Sequence, residues 1–138
     1  MVMGNKMAMK FSTSKPPIFD KLHKAFGVEW GKGLVIAYKD TIHHSQPLHP
    51  SVIVHEQVHL NRQGKDPDLW YENYIRNEKF RFGEELLAYH AQYDYLMDVI
   101  RDRNELAKWR WKLAVDLSGP MYGKVVSHKE AMKLIAMK

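Results

Sequence analysis

The sequence predicts an α+β fold, mostly helical, with a small antiparallel β-hairpin ahead of the longer helices. Three observations lead there. Through 80–104 the apolar residues keep helical spacing, and Phe82, Leu86, Tyr89, Tyr93, Leu96, Met97 and Ile100 share one face of a wheel. The run at 33–38 is short and β-rich, and Lys39-Asp40 turns it into a second short strand at 41–44. Pro, Gly, Asp and Ser then fall where helices need to start and stop.

Taken in order, residues 1–10, with methionines at 1, 3, 7 and 9, read as a flexible basic leader, and 11–138 as one domain. Residues 17–26 form a first helix that Gly27 ends. After the hairpin, helices are expected at 50–63, at 68–78, opened by Pro67 and Asp68, and from 80 to about 104. Another runs over 108–117 and stops at Ser118-Gly119-Pro120; Ser127 caps a last one through 137. Trp30, Trp70, Trp109 and Trp111 are expected to pack the outer helices on the core. The strand at 41–44 is expected to rim a cleft with an open edge, to which an extended peptide could add.

Composition narrows the chemistry. A chain of 138 residues can bury a core without staples. With no cysteine there are no disulfides and no thiolate metal sites, so any metal must be held by nitrogen and oxygen. No apolar run approaches the ~20 residues of a membrane span, and the start lacks a secretory apolar segment. A cytoplasmic protein with no membrane partner is expected. The net charge of +5 is spread along the chain, and Lys124, Lys129, Lys133 and Lys138 read as a solvated face. Nucleic-acid binding would need a basic patch that the sequence does not display.

The most informative stretch is His55-Glu56-Gln57-Val58-His59, which spells H-E-x-x-H on a segment expected to be helical. Residues four apart on a helix stand one above the other, with Cβ atoms ~5–6 Å apart. His55 and His59 can therefore grip one metal ion from the same side. Glu56, turned by about 100°, faces a water on that ion instead of the ion itself. Two neutral nitrogen ligands plus a carboxylate base are what a zinc hydrolase needs. Val52, Ile53, Val54, Val58 and Leu60 clothe the segment, so the motif is expected on a largely buried helix.

A third protein ligand is required. Glu85 falls inside the apolar arc of 80–104, where a carboxylate must be neutral, paired or on a metal. His90, at the border of that arc, is its rival. Glu84 falls on the far side with Ala91 and Asp98 and is expected to be wet. His43, His44 and His49 precede the motif and are weaker candidates to line the cleft.

The combination of His55-Glu56-x-x-His59 with Glu85-x-x-Ala88-Tyr89 resembles the gluzincin-type zinc proteins, which carry a glutamate on the next long helix. Lys15-Pro16-Pro17-Ile18-Phe19-Asp20, Phe26-Gly27-Val28, Tyr38-Lys39-Asp40-Thr41-Ile42-His43 and the Arg81…Ala88-Tyr89…Gln92-Tyr93 run are similar to short phage-encoded H-E-x-x-H proteins of peptidase type. The resemblance covers about residues 11–100. It implies a minimal zincin-like fold, with an active-site helix followed by a ligand-bearing helix. It also implies one zinc ion per chain held by His55, His59 and Glu85, with Glu56 as general base acting on a peptide or protein substrate. The host cytoplasm or the virion would be its location. Many gluzincins carry an acidic residue four positions beyond the ligand glutamate; here Tyr89 stands there. Tyr89, His90 and Tyr93 are the candidate oxyanion or substrate contacts. The competing class is a non-catalytic protein of a phage particle in which the metal only ties helices together.

Overall fold

The computed structural model describes residues 9–137, so most of the expected leader lies outside the described residues. In chain order the elements are β1 (Lys10–Ser12), α1 (Phe19–Phe26), β2 (Val35–Tyr38), β3 (Thr41–His44), α2 (Pro50–Gln63), α3 (Pro67–Arg76), α4 (Glu78–Val99), α5 (Arg103–Leu117) and α6 (His128–Ala136). A single 3₁₀ turn, Pro120–Tyr122, precedes α6. The fold is mostly helical α+β, as the periodicities indicate.

The hairpin forms with Tyr38 opposite Thr41, but the sheet is mixed, not purely antiparallel. β1 pairs parallel with β3, placing Phe11 beside Ile42, and the strand order is β1-β3-β2. Lys10, expected in the leader, is thus already in the sheet. Its amide donates to the Asp40 carbonyl at 2.8 Å, and its ammonium lies 3.2 Å from the Asp40 carboxylate. This corrects the expected open edge at 41–44: β3 is central and closed on both sides. The edges belong to β1 and β2. Lys39, at the hairpin turn, adopts φ 60°, the left-handed region that tight hairpin turns demand. Gln63, at the end of α2, clamps this hairpin by accepting from the Lys39 amide at 3.0 Å and donating to the Ala37 carbonyl at 2.7 Å.

Helix boundaries follow the caps. α1 begins at Phe19, later than expected, where the Phe19 amide donates to the Pro16 carbonyl. Asn77 both closes α3 and opens α4, its side chain accepting from the Phe80 amide. The run expected to stay helical to 104 stops at Val99, because Ile100 turns extended and Asp102 caps a new helix by accepting from the Asn104 amide. At the last helix, Ser127 and Glu130 form a reciprocal capping box.

Two apolar cores result. One joins α1, β2 and α3 through residues such as Phe19, Leu22, Ile36 and Trp70; the other joins α4, α5 and α6 through Leu96, Leu113, Leu117 and Ile135. Between them α2 packs along α4, with Ser51 and Ala88 fully buried. Trp30 and Trp109 pack at the margins of these cores. Trp111 does not: it is 57% exposed, because Leu113, Ala114 and Leu117 define the inward face of α5 and turn it outward, against His128. Among the described residues no helix is long and apolar enough to cross a membrane.

Candidate metal centre

α2 carries an inverted stripe. Its buried residues are Ser51, His55, Glu56, His59 and Gln63, while Val52, Ile53, Val54, Val58 and Leu60 are only half-buried. Polar side chains at i, i+4 and i+8 are thereby turned inwards onto α4, which presents Glu84, Glu85 and Gln92, while Gln63 at i+12 faces the hairpin. Burying that many polar groups is unfavourable unless each finds a partner. The partners show what the seam can hold.

His55, His59 and Glu85 converge. One ligand atom of each lies within 4.8 Å of the others, and all three residues are buried. The Glu85 carboxylate places one oxygen 3.0 Å from His55 Nε2 and the other 3.2 Å from His59 Nε2. Ligands held at ~2.0–2.2 Å around one tetrahedral ion stand roughly 3.3 Å apart, so these spacings fit a shared cation. A second observation points the same way. Both ring nitrogens of His59 are buried, and neither has a hydrogen-bond partner. Nε2 meets the Glu85 carboxylate at 3.2 Å without hydrogen-bond geometry, and a divalent ion there would satisfy that nitrogen. These residues can therefore bind a metal ion.

Neighbouring side chains hold the ligands in place. Tyr74 donates to the second Glu85 oxygen at 2.5 Å. His55 Nδ1 lies 2.9 Å from Gln92 Oε1, and the ring packs edge-on against Tyr89 at 4.5 Å. Burial pushes the Glu85 carboxyl up, but the adjacent His59 and His55 outweigh it and hold it well below the usual carboxylate range. Glu56, 7% exposed, sits with a carboxylate oxygen 3.9 Å from His55 Nε2, beside the ligand atoms without joining them. Its carboxyl is pushed up to about 8, first by burial and further by Glu85, with His55 opposing. A cation at the three ligands would favour its ionised form.

These groups form the floor of a cavity of about 480 Å³. Leu34, Val35 and Leu48 line one wall; Trp109, Asp116 and Tyr122 line the other. Tyr89 also faces the cavity. Burial holds the Tyr89 and Tyr122 phenols well above their ordinary value, so both remain neutral donors.

Other expected residues lie elsewhere. Glu84, expected to be wet, is 4% exposed: it accepts a two-pronged pair from Arg62 at 3.0 and 2.7 Å, and the Trp70 indole donates to it at 3.0 Å. The wheel failed there because α4 is covered on two sides, by α2 and α3 as well as by α5 and α6. His90, the rival ligand, faces the Leu134 carbonyl of α6 and not the cavity. Tyr93 is packed in the core of α4, α5 and α6 and does not line the cavity. His43 and His44 each face a main-chain carbonyl, of Ser14 and Gln46. His49 does line the cavity, packed against Trp109, and it caps α2 by accepting from the Ser51 amide.

Sequence reasoning missed Gln92, Tyr74 and Tyr122. Gln92 had a signal, standing two helical turns beyond Glu85 on the same face. Tyr122, on an isolated turn after Gly119-Pro120, had none. Comparison with known protein families, curated proteins and solved structures gives no match for this chain.

Proposed function

We propose that the chain is a zinc-dependent peptidase that hydrolyses a peptide or amide bond in a protein or peptide substrate. The observation that carries this reading is the placement of three buried ligands at the floor of a cavity, with Glu56 beside them and unligated. A zinc ion in such a ligand set lowers the pKa of a water towards ~7 and polarises a carbonyl.

The chain's own residues supply the rest. Glu56 accepts the proton of the attacking water and returns it to the leaving amine. Its place beside the ligands supports that role, and a cation there would favour the ionised form that a base needs. Tyr89 and Tyr122, neutral phenols on the cavity wall, donate to the oxyanion that develops on the substrate. The free edge of β2 orients the substrate. Val35 and Ile36 line the cavity, and the far end of the strand is tied down where Gln63 and Tyr71 donate to the Ala37 carbonyl. An extended peptide adding at Val35 runs past the ligands.

The competing reading, a metal that only staples helices, calls for a fourth protein ligand. Among the described residues the metal-holding group contains three, and the cavity opens onto it. That favours the enzyme. Glu56→Gln is expected to bind zinc like the parent and to lose turnover of a casein or peptide-library substrate by at least ~100-fold, the scale of a removed general base. A variant that cleaves as fast as an active parent removes Glu56 from the mechanism. A zinc-loaded parent that cleaves nothing favours the staple.

A further inference from the structure

We propose that His49, Ser51 and Gln92 form a proton-ordered chain whose purpose is to present His55 to a metal through Nε2. The proposal rests on the metal reading of the site, not on peptide hydrolysis.

The chain begins at a donor whose direction is not in question. The Ser51 main-chain N–H donates to His49 Nδ1 at 3.1 Å, so that nitrogen is an acceptor and carries no proton. Ser51 Oγ lies 2.9 Å from the same nitrogen and must therefore be the donor there. With its one proton committed, Ser51 Oγ can only accept from its other neighbour, the Gln92 side-chain amide at 3.0 Å. That places the NH₂ of Gln92 towards Ser51 and its carbonyl oxygen towards His55 Nδ1, 2.9 Å away. His55 Nδ1 must then carry a proton, so the neutral imidazole that a metal binds has its lone pair on Nε2. Ser51 is fully buried and Gln92 is 3% exposed, so water cannot replace either of these two links; His49, at the outer end of the chain, is exposed.

The consequence falls on the ligands. A lone pair on His55 Nε2 faces a Glu85 carboxylate oxygen at 3.0 Å. Two acceptors at that separation repel unless a proton or a metal ion joins them. The chain of hydrogen bonds thus selects the tautomer of His55 that leaves Nε2 free for a metal, and the helix cap at His49 sets it through Ser51 and Gln92. Gln92 does this as a neutral acceptor, on the face of α4 two turns beyond Glu85. It holds the metal-facing tautomer, while Tyr89, four positions after Glu85, packs edge-on against the same ring. All three are positioning residues, and none is a ligand.

Zinc affinity of the full chain, measured by competition with a chromophoric chelator, tests the assignment. Gln92→Leu is expected to weaken zinc binding 10–100-fold, the usual cost of losing a partner of a ligating histidine. Gln92→Glu, which keeps an acceptor towards His55 and cannot turn the wrong way, should bind within a few-fold of the parent or more tightly. Ser51→Ala, which touches no ligand, should weaken binding severalfold, and nitrogen-detected spectra of the zinc-loaded parent should show His55 protonated at Nδ1. A folded Gln92→Leu that binds zinc as tightly as the parent overturns the proposal. If Gln92→Leu fails to fold, unchanged affinity in Ser51→Ala overturns it instead. A parent that binds no zinc sinks the metal reading as well, and so is distinguishable from a failure of this chain alone.

Discussion

Glu56 and Glu85 are both buried beside His55, yet burial and charge drive them in opposite directions. Glu85 touches two imidazoles and a tyrosine hydroxyl and is held ionised; Glu56 has no such support and is pushed up to about 8. In the metal-free protein this has a definite sign. Below about 4.5, the ordinary value, Glu56 is protonated whether the chain is folded or not, and its burial costs nothing through ionisation. As pH rises towards 8 the unfolded chain gains from ionising and the folded one does not, so stability falls across that window. Glu56→Gln removes the effect, and should gain on the metal-free parent by up to a few kcal/mol between pH 5 and 8. Urea midpoints of both proteins at the two pH values check this; an unchanged difference contradicts it. At this scale His55, His59 and Glu85 were legible because each sits at a spacing that helical geometry fixes. Glu84 was not, since a wheel drawn for one buried face cannot anticipate a helix covered on two.

The element that matters most is the seam between α2 and α4. Its ligand end is held together at the other side of His59 by the Arg62–Glu84 fork, with Trp70 donating to Glu84 and packing against His59 at 5.4 Å. Burial raises the Glu84 carboxyl, but Arg62 and Trp70 bring its net shift below the ordinary value, so it stays charged. Arg62→Met strips a buried carboxylate of its cation and should destabilise the fold by about 1–3 kcal/mol, less than a fully buried pair because the Arg62 side chain is half exposed. Glu84→Gln in the same background should recover most of that loss, since it removes the unpaired charge; thermal melting of the two variants reads both. Helix positions were legible from period, and helix ends less so. Asn77, serving as stop and start at once, and Asp102, cutting a continuous apolar pattern, act through single caps that periodicity does not register.

For the molecule as a whole, a polar seam runs between two apolar cores, one built by α1, β2 and α3 and the other by α4, α5 and α6. The second core was foreshadowed by the apolar face of 80–104, and the first only by the short β-rich run at 33–38 and the tryptophans at 30 and 70. The parallel pairing of Lys10–Ser12 with β3 was not, because it joins segments about thirty residues apart and leaves no local pattern. That pairing puts β3 in the centre of the sheet and leaves β1 and β2 as its edges. A metal ion bridging α2 and α4 would tie the halves together, and should raise the melting temperature by on the order of 10 °C when zinc exceeds its dissociation constant ~1,000-fold.

The most direct test is the metal content of the full chain after zinc loading and desalting, compared with Glu85→Ala. The account predicts one zinc per chain in the parent and loss of that zinc from a folded variant. A parent that retains no metal, or a folded Glu85→Ala that retains its full complement, would contradict it.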